Sequence, residues 1–375
     1  MKLVFFGLSI SSAWGNGHAT LLRGLFRALH ALGHHIDFFE KDAPYYAARR
    51  DAAELPYADV HLYRNWADIV NLASRELAGA DVGFVTSYCP DGKEACELVL
   101  ESKLQRTVYY DMDTPVTLQR LEQRESVPYL PVNASRAYDL SGFDLVLSYT
   151  GGDALGQLKS RLRARCVAPL YGWVDPEIHH SVPQCREFEA DLSYLGTYAA
   201  DRQRQLECLL LMPAKLLPER KFLVGGAMYT DIGGWPQNVR HIEHVAPVDH
   251  AAFYSSSPVT LSVTRGAMAA MGYCPSGRLF EAAACGTVVL SDWWRGLDTF
   301  FEPGREILIA AEASDSIAAI QTDCEALQRM GERARDRALA CHTAHVRAQR
   351  LLDLLRSPRD ESSLGEAVTY ARTGV

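Results

Sequence analysis

Short apolar runs alternate with amphipathic stretches along nearly the whole chain. Lys2–Ser9 predicts a buried strand, His18–Leu32 carries apolar residues at helical spacing, and His35–Glu40 predicts a second strand. Further strands are expected at Asp81–Thr86, Arg106–Asp111, Asp144–Tyr149 and Cys166–Leu170, with helical segments between most of them. The runs are continuous rather than alternating. That pattern indicates strands covered on both faces, as in a parallel sheet flanked by helices. Over Leu170–Glu189 the pattern lapses into a stretch rich in Pro, His and aromatics, which suits an inter-domain linker. Alternation then restarts, with strands at Asp191–Gly196, Lys221–Gly225, Val259–Val263, Thr287–Ser291 and Glu306–Ala310. Helices are expected at Ala200–Met212 and Gly277–Ala284, and the chain from Asp315 to about Arg356 reads as mainly helical. The expected fold is α/β, with two Rossmann-like doubly wound domains over 1–172 and 173–349. A helix over 350–375 could pack back on the first domain, and the tail from Ser357 is polar.

A length of 375 residues suits two domains. The 48% hydrophobic and 22% charged content excludes disorder of the chain as a whole. With 38 Lys+Arg against 46 Asp+Glu the net charge is -8, so no global basic field exists to hold nucleic acid, and no nucleic-acid partner is expected. The nine cysteines (89, 96, 166, 185, 208, 274, 285, 324, 341) form no CxxC pair and read as thiols of a reducing compartment. The first residues, MKLVFFGLSISSAWG, have some likeness to a signal peptide. A first strand explains them better, because a Gly/Asn loop and an amphipathic helix follow at once. No stretch of about 18 apolar residues occurs, so no transmembrane segment is expected and the location expected is cytoplasmic.

Five constellations could carry chemistry. Gly15-Asn16-Gly17-His18 follows the first strand and opens a helix, where backbone N–H groups favour an anion or a polar sugar group. It is either a tight turn or an acceptor-binding loop with His18 as a base, and its spacing departs from the GxGxxG of dinucleotide sites. Tyr109 to Pro115 ends a strand, where open α/β sheets place their ligands. There Asp113 or Thr114 either starts a helix, or Asp111 or Asp113 acts on an acceptor hydroxyl. Leu195-Gly196-Thr197-Tyr198, with Asp201 and Arg202, repeats the strand-glycine-helix turn in the second half and could present N–H groups to a phosphate. Arg265 lies just past the apolar strand Val259–Thr264, suited to an anion or else a solvated loop residue. Most informative is the run from Tyr273 to Asp292, YCPSGRLFEAAACGTVVLSD. Here Glu281 opens a small-residue helix ended by Gly286, with Ser276 and Arg278 at the helix start.

That last segment resembles the nucleotide-binding signature of GT-B glycosyltransferases, and more closely the CgeB-like, spore-maturation-type family. Asp298–Phe301, Pro303 to Leu308 and Cys341 to Arg347 add to the likeness, which covers roughly Asp191 to Leu355. The resemblance implies a GT-B fold, two Rossmann-like domains facing a cleft, with the acceptor on the N-terminal side and a nucleoside-diphosphate sugar on the C-terminal side. It also implies that Glu281 binds the ribose hydroxyls and that Arg265 and Arg278 hold the diphosphate. Many retaining members carry a glutamate eight positions before the ribose one, where this chain has Tyr273.

The expected activity is metal-independent glycosyl transfer, with no cofactor beyond the donor and with an unidentified acceptor, whether glycan, protein or small molecule. Charge developing on the leaving phosphate would be held by cations and helix-start N–H groups. Asp111-Met112-Asp113 spells DxD, a manganese motif in the other glycosyltransferase architecture, but it lies in the acceptor half; no metal ligands are expected. Donor-side residues are expected to be Gly196, Thr197, Arg202, Arg265, Ser276, Arg278 and Glu281. Acceptor-side ones are Gly15, Asn16, Gly17 and Thr114, with His18, Asp111 and Asp113 catalytic. A nucleotide-sugar epimerase and a non-catalytic nucleotide-sugar-binding protein are the alternatives.

Overall fold

A computed structural model describes residues 1–357 apart from Ala53 and Asp231; most of the 350–375 segment therefore lies outside the described residues. The chain forms two compact units. One takes Met1–Tyr171 and the chain from Ala344 onward, the other Gly172–Thr343.

The first unit is built on seven strands: β1 (Lys2–Gly7), β2 (His35–Lys41), β3 (Asp59–Tyr63), β4 (Val82–Thr86), β5 (Arg106–Asp111), β6 (Leu145–Ser148) and β7 (Val167–Pro169). They run in the order β3-β2-β1-β4-β5-β6-β7, and every pairing is parallel. Side chains of a strand alternate between faces, so the adjacent Phe5 and Phe6 serve opposite layers. Phe5 stacks on Phe84 at 4.1 Å between ring centroids and meets Phe26 of the helix Gly17–Ala31 at 4.7 Å. Phe6 stacks on Phe39 at 4.9 Å. Both are buried, which explains the unbroken apolar run. Truncating either ring to alanine should cost about 3–5 kcal/mol.

The helix Gly17–Ala31 buries Ala19, Leu22, Leu25, Phe26 and Leu29. It ends because Gly33 takes φ +80° while Gly33 N–H donates to the His30 carbonyl and His34 N–H to that of Leu29, a Schellman stop. The helix Ala344–Arg356 packs against it, and Arg106 Nε bonds the Leu355 carbonyl at 3.1 Å.

The second unit has β8 (Leu192–Leu195), β9 (Phe222–Gly225), β10 (Val239–Ile242), β11 (Val259–Ser262), β12 (Val288–Ser291) and β13 (Leu308–Ile309). Their order is β10-β9-β8-β11-β12-β13, again with parallel pairings throughout. Each sheet therefore winds outward from one central pair, β1 with β4 and β8 with β11. Strand order reverses there, and the crevice beyond the strands' C-terminal ends is the usual ligand position.

Leu170–Glu189, expected as an inter-domain linker, contains the boundary between the two units, and within it Trp173, Val174, His179 and Phe188 are buried and Val174 bridges to Thr343. The helix expected over Ala200–Met212 is three pieces: Ala200–Leu206, a wide π turn at Glu207–Leu211, and Met212–Leu216. Pro213 lacks an amide proton and would clash with a regular preceding turn, which fits the widening beside it. Strands β3 and β10 went unforeseen because they are edge strands with polar residues interleaved (DVHLY and VRHI), so neither shows a continuous apolar run.

Candidate functional site

In the first unit, chemistry-bearing residues gather beyond the ends of β1, β4 and β5. The loop after β1 is fixed by Glu40, which is fully buried. Its carboxylate accepts from Ser9 Oγ at 2.7 Å, Ile10 N at 2.8 Å and Ser11 N at 3.0 Å. Gly15 holds φ +60°, a conformation that favours glycine. Asn16 is the N-cap: its Oδ1 accepts from His18 N at 3.2 Å, while its Nδ2 donates to the Ser9 and Ser12 carbonyls. The Asn16 side chain thus shapes the loop from within. Gly17 has open space where a Cβ would stand.

His18 Nε2 lies 3.5 Å from Asp113 Oδ2, and both side chains are partly exposed. Tyr88 sits directly after β4 with a left-handed φ of 65°. Its ring is 5.6 Å from that of His18 and its hydroxyl hydrogen-bonds Asp113. Burial and the nearby Asp113 charge push the Tyr88 pKa up, so the phenol stays neutral and donates. Sequence reasoning missed Tyr88, because nothing in SYCP announces a left-handed tyrosine.

Asp111, at the end of β5, is fully buried. Oδ1 accepts from Asp113 N and Thr117 Oγ1, both at 3.1 Å, while Oδ2 has no hydrogen-bond partner. Burial dominates, and the Asp113 charge adds to it, raising the Asp111 pKa to about 7 against the opposing hydrogen bonds and His18. Thr114 is the first helical residue rather than the N-cap, a position held by Asp113. Its buried hydroxyl bonds the Asp111 carbonyl and Ser148 Oγ.

In the second unit, arginines gather at the corresponding place. Gly196 and Thr197 follow β8, but this turn is not a free amide nest. Gly196 N–H donates to the Gly225 carbonyl at 2.8 Å and Tyr198 N–H to that of Ala227 at 2.9 Å. Gly226 is required opposite them: at φ +147° its added Cβ would lie 2.1 Å from the Gly196 oxygen. Arg202 Nη2 bonds the Thr197 carbonyl. Arg278 Nε bonds the Leu195 carbonyl, with the guanidinium over the Tyr194 ring at 5.1 Å. Arg265 starts the short helix after β11, its Nε 3.5 Å from Asp201 Oδ2. Burial lowers the Arg202 pKa, and the charges of Arg278 and Arg265 add to the effect. One nitrogen in each of the three guanidinium groups, Arg202 Nε, Arg265 Nε and Arg278 Nη1, is buried without a hydrogen-bond partner.

Ser276 takes the N-cap position of the helix Gly277–Ala284 and makes no side-chain capping bond. Glu281 lies in the second turn of that helix rather than opening it, and its Oε2 accepts from Tyr254 Oη at 3.2 Å. The helix stops where Gly286 takes φ +80°. Tyr273 has φ +47°, and its ring packs directly beneath Gly296.

Residues 202–353 match a family model described as glycosyl transferase-like. No curated protein matches the sequence. Among solved structures, sucrose-phosphate synthase from Thermosynechococcus elongatus is 15% identical, with 95% of this chain and 98% of that one covered, at a TM-score of 0.67. The Anabaena protein HepE, solved with UDP and glucose, is 13% identical over 95% and 99% of the two chains, at 0.66. An α-glucosyltransferase, solved with UDP-glucose and DNA containing an abasic site, is 12% identical over 95% and 100%, at 0.67. The fold of this chain is GT-B, and its C-terminal half carries the glycosyl transferase-like segment. No helix among the described residues is long and apolar enough to cross a membrane.

Proposed function

We propose that this protein is a nucleotide-sugar-dependent glycosyltransferase in which the second unit binds the donor and the first unit binds the acceptor. One observation carries the reading: three arginines gather at one sheet switch point, with Arg202 Nε and Arg278 Nη1 buried without a hydrogen-bond partner and Arg265 paired only with Asp201. A buried guanidinium nitrogen without a partner is costly unless an acceptor reaches it, and a diphosphate offers enough oxygens for all three half-buried arginines. Glu281, held by Tyr254, would accept from the ribose hydroxyls, and Ser276 at the helix start would face the phosphates. In transfer, the bond from the anomeric carbon to the β-phosphate oxygen breaks, and its electron pair leaves on the phosphate. The acceptor hydroxyl oxygen bonds the same carbon. Its proton passes to the His18–Asp113 pair if the anomeric centre inverts, or to the leaving phosphate if it is retained.

The finer placement in the CgeB-like branch rests on Tyr273–Asp292 together with Asp298–Phe301, Pro303–Leu308 and Cys341–Arg347, and a cytoplasmic setting is supported by nine free cysteines. UDP-glucose is the first donor to try, since UDP accompanies several structural neighbours. A thermal-shift panel of nucleoside diphosphates should show stabilisation by mass action, followed by sugar release or transfer with the matching donor. Interconversion of the sugar without transfer would assign an epimerase, and saturable binding without turnover a binding protein. Activity should survive EDTA. Loss in EDTA restored by manganese would return Asp111-Met112-Asp113 to the role of a metal motif.

A further inference from the structure

Three residues distant in sequence converge inside the second unit. His179 follows a turn in which its N–H donates to the Asp175 carbonyl at 2.8 Å, His250 opens the helix His250–Ser255, and Glu281 projects from Gly277–Ala284. His179 Nε2 and His250 Nδ1 face each other at 3.4 Å. One potential ligand atom from each of the three residues lies within 4.8 Å of the other two. A separation of about 3.4 Å is the edge of a tetrahedron with metal–nitrogen bonds of roughly 2.0–2.1 Å.

The surroundings favour ligation. His250 presents its Nδ1 to the cluster, facing His179 Nε2. The His250 ring also hydrogen-bonds the Val245 carbonyl, the kind of outer contact that fixes the tautomer of a ligating histidine. His179 is 4% exposed, and its Nε2 is the ring nitrogen turned toward His250. Tyr254 orients the Glu281 carboxylate.

We propose that His179, His250 and Glu281 bind a divalent transition ion of the zinc type, with a fourth position open. Two imidazoles and a carboxylate suit a borderline-soft ion rather than magnesium or calcium. A consequence that does rest on the donor reading is competition: an ion holding the Glu281 carboxylate displaces the ribose, so zinc inhibits and chelation relieves.

Full-length protein stripped with a chelator and titrated with cobalt(II) should develop the visible absorption of a four-coordinate site at one equivalent, displaced by zinc. His179→Gln and His250→Gln should each weaken binding by more than the roughly 10–100-fold that loss of an outer contact costs. Absorption equal in wild type and both variants, or none at all, overturns the proposal. Should the variants fail to fold, zinc-edge X-ray absorption on the wild type decides it, with fewer than two imidazole ligands as the refuting result. Zinc should also weaken nucleoside-diphosphate affinity. Metal binding through the two histidines with that affinity unchanged would uphold the site and remove Glu281 from the ribose.

Discussion

The two switch points occupy the same place in sheets of the same order, and they collect opposite chemistry. Beyond β1, β4 and β5 stand His18, Tyr88, Asp111 and Asp113, a group suited to taking a proton. Beyond β8 and β11 stand Arg202, Arg265 and Arg278, a group suited to holding an anion. The fold supplies a location, and the residues at the strand ends decide which half of a reaction it serves. If the first group takes the acceptor proton and the second holds the leaving group, damage to one should spare the other's function.

The largest effect is expected in the first unit. Asp113→Asn and His18→Ala should each reduce transfer by about 10²–10⁴-fold, the usual worth of a positioned base. Nucleoside-diphosphate affinity, read by calorimetry, should stay near wild type in both. Loss of that affinity in Asp113→Asn would mean the two units have been assigned the wrong way round.

Next comes the cation group. Arg265→Lys keeps the charge but loses the planar fork, and should lower turnover by about 10-fold or more, since an ammonium cannot make the bidentate contact. Near-native turnover would make Arg265 a solvated residue paired only with Asp201. Arg278→Lys tests the same point where a second role intervenes, because Arg278 also bonds the Leu195 carbonyl.

How far the sequence disclosed these groups depended on how local they were. Arg278 and Glu281 lie in one short helix before a strand, so a single segment signalled both. The parallel sheets followed from continuous apolar runs, as Phe5 and Phe6 illustrate. The edge strands β3 and β10 left no such trace, since one side of each is solvated. Tyr88 depends on a backbone angle that no residue pattern announces. His179 and His250 meet across 71 positions, which no spacing rule captures. The Gly196–Thr197 turn misled in the other direction: its amides looked available, yet Gly225 at the end of β9 and Ala227 just beyond it take those of Gly196 and Tyr198.

Glu281→Ala should weaken nucleoside-diphosphate binding by about 1.5–3 kcal/mol, the range for a hydrogen bond to a charged group. The fold should persist, because Glu281 is only partly buried and its carboxylate accepts from the Tyr254 hydroxyl at the helix surface rather than filling the core. Unchanged affinity in a folded variant would leave the arginines without a ribose partner, and the comparison would then rest on charge alone.

The last effect concerns stability rather than rate. Asp111 titrates near 7 in the folded protein, well above the ordinary carboxylate range, because burial disfavours its charge. Its folded pKa is raised, so its contribution to stability is fully present below the unfolded value and is lost as pH rises through about 7. Between those limits the native state holds a proton that the unfolded state has released, and stability falls with a slope of up to about 1.4 kcal/mol per pH unit. Asp111→Asn mimics the protonated form and keeps an acceptor for Asp113 N and Thr117. The excess of the variant's melting temperature over that of wild type should therefore grow from pH 5 to about pH 7 and level off above it. Parallel melting curves across that range would show Asp111 to be ionised throughout. The acid of the first unit would then be a second charge beside Asp113, not a neutral neighbour that leaves Asp113 to act as the base.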